Sequence, residues 1–436
     1  MYHYHTLSNG LRIVLKPTQS PVTYSSVTIG VGSRHEEGPA EGLAHFIEHS
    51  LFKGTEHRRA RHILSRIDGV GGELNAFTTK EETCIYATSL TCHLDRCLEL
   101  FADILFHSTF PEAEIIRERD VVIEEIDSYR DSPAELIYDE YEELAFAGHP
   151  LAHNILGTKR NVRRFTPAML RQRMHELYTP SRMVVSVVGN VAMPALVRLC
   201  EKYFGPYPEE SPSGTQHINL SGEPRELDER TYPHINVSTY PRINKSTYPQ
   251  LNISPFHEVR SRHTHQTHLI LGCPAPGLHD QRRTAFTLLN NILGGPAMNS
   301  RLNVAVRERY GFCYTIESQY TLFTDAGLFC IYAGVDRDSR QRTLQLIEAE
   351  LRRLATEPLT PAQLRQAQRQ LIGQLTIAAD NGLNEMQAMG KACLVYGTVD
   401  TLDDTVRDIL ALTSSQLHAL AADLFAPSRL STLVYE

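Results

Sequence analysis

The fold is decided by a stretch that occurs twice: "FTPAMLRQRMHELYTPSRMVVSVV" at 165–188 and "LTSSQLHALAADLFAPSRLSTLVY" at 412–435. The two copies align without gaps at a constant offset of 247 residues, from Thr166/Thr413 to Arg182/Arg429. Each reads as a threonine N-cap, an amphipathic helix, a Pro-Ser turn and a β-branched strand. A shared unit this long implies two domains of about 200 residues with one fold. The length supports that division, since 436 residues exceed one ordinary hydrophobic core.

Within each half, strands come in neighbouring runs. "LRIVLKP", "YSSVTIGVG" and "LNAFTTKEETCIYATSL" read as strands; "HLDRCLELFADILF" and "AEIIRERDVVIEEIDSYR" read as amphipathic helices. The expected class is α+β: two homologous domains, each an antiparallel or mixed sheet packed with helices. The expected divisions are a first domain over 1–207, a linker over 208–262 and a second domain over 263–436. The linker holds "TYPHINVS", "TYPRINKS" and "TYPQLNIS", an eight-residue repeat starting at Thr231, Thr239 and Thr247. Its prolines keep it out of a central strand.

Composition narrows the function. The net charge is -8 and no long basic block exists, which argues against nucleic acid or an anionic membrane as partner. No apolar run approaches the ~18 residues of a membrane span, and the N-terminus lacks a signal-like pattern. Eight scattered cysteines without a C-x-x-C fit reduced, mostly buried thiols and a cytoplasmic location.

The chemistry is concentrated in "GLAHFIEHSLFKGTEH", 42–57. His45 and His49 stand four apart and therefore share one helix face. Two neutral imidazoles there suit zinc, and Glu48 sits beside them as a base for a metal-activated water. H-x-x-E-H reverses the order of the zincin motif and is the inverzincin pattern. A hydrolytic zinc needs a third protein ligand. The best candidate lies in "EIIRERDVVIEEIDSYR", where Glu118 and Glu125 share a face and Glu125 edges the apolar stripe; Glu124 is the competing choice.

Together these pieces resemble the family of pitrilysin, insulin-degrading enzyme and mitochondrial processing peptidase over nearly the full length. In that family a glutamate ligand follows the histidine motif by about 75 residues in an "ER-x-x-V-x-x-E"-like helix, and "ERDVVIEE" stands here at 118–125. The resemblance implies one Zn2+ per chain on His45, His49 and Glu125, with Glu48 as general base and Glu118 in support. "GGELNAFTTKEET" resembles the strand beside the zinc, where an extended substrate pairs by its backbone, making Asn75, Ala76 and Phe77 substrate contacts. "RERYGFCY" resembles the part of the second domain where an arginine and a tyrosine seven apart bind substrate. Here these are Arg307 and Tyr314, and Tyr314 is placed to donate to the oxyanion. His149 and His153 in "HPLAHNILGT" read as structural.

The second half carries no H-x-x-E-H; its equivalent region is "AFTLLNNILGG". Relatives of this length form half of a clam-like chamber, so the resemblance implies a homodimer, or a heterodimer with an inactive sister. The expected activity is that of a zinc metalloendopeptidase acting on peptides or unfolded segments. The rivals are a non-catalytic subunit of the same fold and a different zinc hydrolase.

Overall fold

The computed structural model describes residues 1–207, 254–262 and 264–436. The first half contains β1 (His3–Thr6), β2 (Arg12–Pro17), β3 (Val22–Ile29), α1 (Leu43–Ser50), α2 (Ala60–Asp68), β4 (Glu73–Thr78) and β5 (Thr83–Leu90). It continues with α3 (Leu94–His107), α4 (Glu112–Arg130), α5 (Pro133–Ala145), α6 (Lys159–Val162), α7 (Pro167–Leu177), β6 (Met183–Gly189) and α8 (Met193–Phe204). The second half contains β7 (His257–Arg260), β8 (Thr267–Ala275), α9 (Arg283–Gly294), a π-helical segment (Asn303–Glu308), β9 (Cys313–Leu322) and β10 (Gly327–Val335). There follow α10 (Arg340–Thr356), α11 (Pro361–Ala379), α12 (Gly382–Tyr396), α13 (Leu402–Ala411), α14 (Ser414–Leu424) and β11 (Ser431–Tyr435).

The sequence repeat is a repeat of topology. The first sheet runs β1-β2-β6-β3-β5-β4 and the second β7-β11-β8-β10-β9. Without β1, the two orders are the same when strands are counted along each half. Each has a single parallel pair, β2 with β6 and β7 with β11, and is otherwise antiparallel. The repeated stretches form α7 and α14. Thr166 caps the first by accepting from the Met169 N–H, and Thr413 caps the second by accepting from the Gln416 N–H. Such a cap contributes about 1 kcal/mol. Both helices end in a 3-10 turn of Pro-Ser-Arg that feeds a strand.

Each sheet buries one face under its own helices. On the first, Val27, Ile29 and Ile85 meet Phe46 and Ile47 of α1, Phe101 of α3 and Ile115 and Val122 of α4. On the second, Leu271, Phe329 and Ile331 meet Phe286 and Leu289 of α9 and Leu417 of α14. The opposite faces are covered by exchange. Ile137 and Tyr141 of α5 pack on Ile270, Leu328 and Leu433 of the second sheet. Met386, Met389 and Cys393 of α12 pack on Val14, Val184 and Val188 of the first. The halves are interlocked, and that is why β6, "MVVSVVG", is buried at every position.

Two details differ from expectation. "LNAFTTKEETCIYATSL" is a hairpin rather than one strand: the Thr79 hydroxyl accepts the N–H groups of Glu81 and Glu82 and turns the chain between β4 and β5. The span 208–262 is not all linker either. Its last part contributes β7 to the second sheet, paired in parallel with β11. Only four residues long, with Val259 largely exposed, β7 carries almost no pattern in the sequence. Residues 231–253 of the eight-residue repeats lie outside the described residues. No helix among the described residues is long and apolar enough to cross a membrane. All eight cysteines are free, and seven of them are buried.

Candidate metal centre

Helix α1 begins at Gly42, whose φ of 91° puts it in the left-handed region that glycine tolerates. A Cβ there would lie 2.8 Å from the Gly157 Cα, and one on Gly157 (φ 67°) 2.6 Å from the Gly42 Cα. Two glycines thus seat the start of α1 against the loop "HNILGT". The N–H groups of Gly42 and Ala44 donate to the buried Glu36 carboxylate, which caps the helix. Burial pushes the Glu36 pKa up to about 7, against the lowering effect of those two donors.

Leu43, Ala44, Phe46 and Ile47 anchor α1 in the core. That turns His45, Glu48 and His49 toward α4, which buries Ile115, Glu118, Val122 and Ile126 along one face. His45, His49 and Glu125 each bring a ligand atom into one cluster, all within 4.8 Å of one another. The Glu125 Oε2 lies 3.7 Å from the His45 Nε2 and 3.4 Å from the His49 Nε2. Glu124, the competing choice, is exposed and outside the cluster.

Glu118 has a different position. Its Oε1 lies 2.9 Å from the His49 Nδ1 and its Oε2 2.6 Å from the Lys53 Nζ. It fixes the ring of His49 and leaves the Nε2 free to face Glu125. Burial alone would raise the Glu118 pKa, but His49 and Lys53 overcome it and hold the carboxyl below its ordinary range. Lys53 was missed in the sequence. It lies past the end of α1 at Ser50, so helical spacing does not mark it.

The cluster asks for a cation. The Glu125 Oε2 is buried yet finds no hydrogen-bond partner among the described residues. Burial, with a smaller push from His49, lowers the His45 pKa to about 3, so its imidazole is neutral and able to ligate. Burial opposes charge on His49 too, but Glu118, Glu48 and Glu125 raise its pKa, drawing positive charge to this spot. Two imidazole nitrogens and a carboxylate oxygen are the donor set of a hydrolytic zinc site with one position open. The residues therefore fit zinc.

The Glu48 carboxyl makes no hydrogen bond or ion pair among the described residues. Burial raises its pKa; His49 lowers it and Glu125 and Glu118 add to the rise. Alongside α1 runs β4, the edge strand of its sheet, paired among the described residues only with β5. Asn75 is exposed and its Oδ1 accepts the Ala76 N–H. Phe77 is half-buried, 6.1 Å from the Tyr86 ring.

Arg307 and Tyr314 belong to the second half. Arg307 is in the π-helical segment and its guanidinium stands 5.8 Å from the Tyr314 ring centre. Tyr314 is the second residue of β9 and is 84% exposed. No hydrogen bond, ion pair or ring contact joins either to the metal cluster among the described residues. His149 is buried, its Nδ1 accepting the Leu151 N–H, and the His153 Nε2 lies 3.8 Å from Glu41. The α1 position of the second half is taken by α9, which has no histidine.

For the Glu118→Gln variant, which keeps a hydrogen bond to His49 but loses the charge, zinc affinity should fall about 10–100-fold. Competition with a chromogenic chelator measures it, and unchanged affinity would remove Glu118 from the site.

The family described as insulinase (peptidase family M16) matches residues 12–159, the part holding all three cluster residues. The peptidase M16 inactive domain matches residues 164–371. An uncharacterized zinc protease of Bacillus subtilis, YmxG, is 34% identical over 97% of this chain and 95% of its own. Another, of Mycobacterium leprae, is 34% identical over 96% of this chain and 88% of its own. A crystal structure of a protease from Helicobacter pylori superposes with a TM-score of 0.85 at 24% identity, covering 100% of this chain and 99% of that one.

Proposed function

Since the chain belongs to the insulinase family, peptidase family M16, we propose that it is a zinc-dependent endopeptidase that cuts peptides or unfolded polypeptide segments. The observation that carries this reading is the convergence of His45, His49 and Glu125 beside the unpartnered Glu48 carboxyl. His45, His49 and Glu125 would hold the zinc, which when bound would supply a Lewis acid for the carbonyl and lower the pKa of water to about 7. Glu48 takes the proton of the attacking water and passes it to the leaving amine nitrogen. Glu118 and Lys53 hold His49 in place. An extended substrate adds to β4 by backbone hydrogen bonds, with Asn75, Ala76 and Phe77 beside it.

Tyr314 donates its hydroxyl to the carbonyl oxygen as charge builds there, and Arg307 positions the ring. Because no hydrogen bond, ion pair or ring contact joins the pair to the cluster among the described residues, the reading includes a homodimer in which each chain lends Tyr314 to its partner's site. A mixture of Glu48→Gln and Tyr314→Phe chains should then regain activity that neither has alone; no recovery would argue for action within one chain. The rival, a non-catalytic subunit, is favoured by no observation at the cluster. The function is tested by cleavage of an unfolded peptide: chelation should abolish it and added zinc restore it, while cleavage indifferent to both would refute the reading.

A further inference from the structure

A second cluster shares no residue with the first. Glu56, His57 and His107 bring ligand atoms within 4.8 Å of one another at the surface. Glu56 and His57 lie on the loop that leaves α1, and His107 ends α3. The Glu56 Oε2 stands 3.4 Å from the His107 Nδ1, and the two rings meet edge to face with centres 4.6 Å apart. The Glu56 N–H also donates to the His107 carbonyl, which fixes the backbone beneath the cluster.

What sets this group apart from a chance surface cluster is the second nitrogen of each ring. The His57 Nδ1 lies 2.6 Å from the Oδ1 of Asp103, a carboxylate only 4% exposed. Asp103 is itself held by the Thr55 hydroxyl at 2.9 Å and the Arg58 guanidinium at 2.6 Å. The His107 Nε2 lies 2.6 Å from the Tyr207 hydroxyl, and the Tyr207 ring stacks on Phe106 at 3.6 Å. The Asp103 carboxylate accepts from the His57 Nδ1–H and leaves the His57 Nε2 unprotonated, while a Tyr207 hydroxyl that accepts from the His107 Nε2–H leaves the His107 Nδ1, which faces Glu56, open to a metal. Metal-ligating histidines are oriented in this manner, one nitrogen on a carboxylate or other polar partner and the other on the ion.

We propose that Glu56, His57 and His107 hold a second divalent metal ion. Two imidazoles and one carboxylate select a transition metal of the zinc class over magnesium or calcium, which prefer oxygen donors throughout. Bound there, the ion ties the loop after α1 to the end of α3.

The test measures zinc per full-length chain after stripping and dialysis against micromolar zinc with excess magnesium. The wild type should hold two ions. The His45→Ala/His49→Ala variant should retain one, and adding Glu56→Ala and His57→Ala should remove it. Both added changes are at exposed side chains, and circular dichroism checks that the fold survives. Wild type with a single ion that vanishes on Glu56→Ala/His57→Ala would uphold this site and remove the first. A His45→Ala/His49→Ala chain without zinc, or one whose zinc is indifferent to the added changes, would overturn the proposal.

Discussion

Glu48→Gln should lower kcat for peptide cleavage by about 10²–10⁴-fold while leaving zinc content and peptide KM close to those of the wild type. Glutamine keeps the size and shape of the side chain but cannot take a proton. The three ligands are untouched: His49 stays bound to Glu118, and Glu125 stays between the two imidazoles. The contrast with Glu118 makes the assignment specific. Glu118 is tied to His49 and Lys53, whereas the Glu48 carboxyl has no partner among the described residues and is raised in pKa by burial and by the neighbouring carboxylates. A partly buried, unpaired carboxylate is the one free to shuttle protons. Peptide hydrolysis and zinc content, measured on the same preparation, decide the matter. Wild-type turnover would eliminate the proposed base, and loss of zinc with turnover would make Glu48 a holder of the site.

Arg34→Ala should destabilise the chain by about 3–5 kcal/mol, because it removes one partner from a buried ionic cluster. The Arg34 side chain is 1% exposed. It pairs with Glu81 at the β4–β5 turn and forks onto Asp325 of the second half at 2.8 and 3.0 Å. The Thr324 N–H donates to both Glu81 oxygens, at 3.1 and 3.0 Å. Without the guanidinium, two carboxylates face each other between the halves. The urea midpoint in saturating zinc measures the effect, and a loss below about 1 kcal/mol would show that the cluster contributes no more than surface ion pairs do. The pH dependence has a definite sign. Burial works to raise the Asp325 pKa, but Arg34 and His149 overcome it and hold the carboxyl below its ordinary value. Its contribution is therefore present above the unfolded aspartate's pKa and is lost as pH falls through the folded one. The gap between wild type and variant should narrow in acid.

What was readable in the sequence was local. Helix α4 announces itself through Ile115, Val122 and Ile126, and the caps of α7 and α14 through Thr166 and Thr413. The spacing from His49 to Glu125 carried the metal cluster because a resemblance supplied the long-range pairing that periodicity cannot. The exchange of α5 and α12 was invisible. Tyr141 meets Leu433, and Val14 meets Met389, across separations no local pattern encodes. The four-residue β7 was hidden by its length. His57 and His107 were two among 20 histidines, and only Asp103 and Tyr207, brought up by the fold, set them apart.

The contact between Gly42 and Gly157 has a consequence for how this chain can change over generations. Each position is closed to other residues by its own left-handed backbone and again by the Cα of its counterpart. Replacing one does not make room for the other; it removes the space the other would need. A single substitution meets the full steric cost, and a second cannot compensate it, so no neutral step leads away from the pair. Among functional variants drawn from a random library, both positions should remain glycine even as the loop around them drifts.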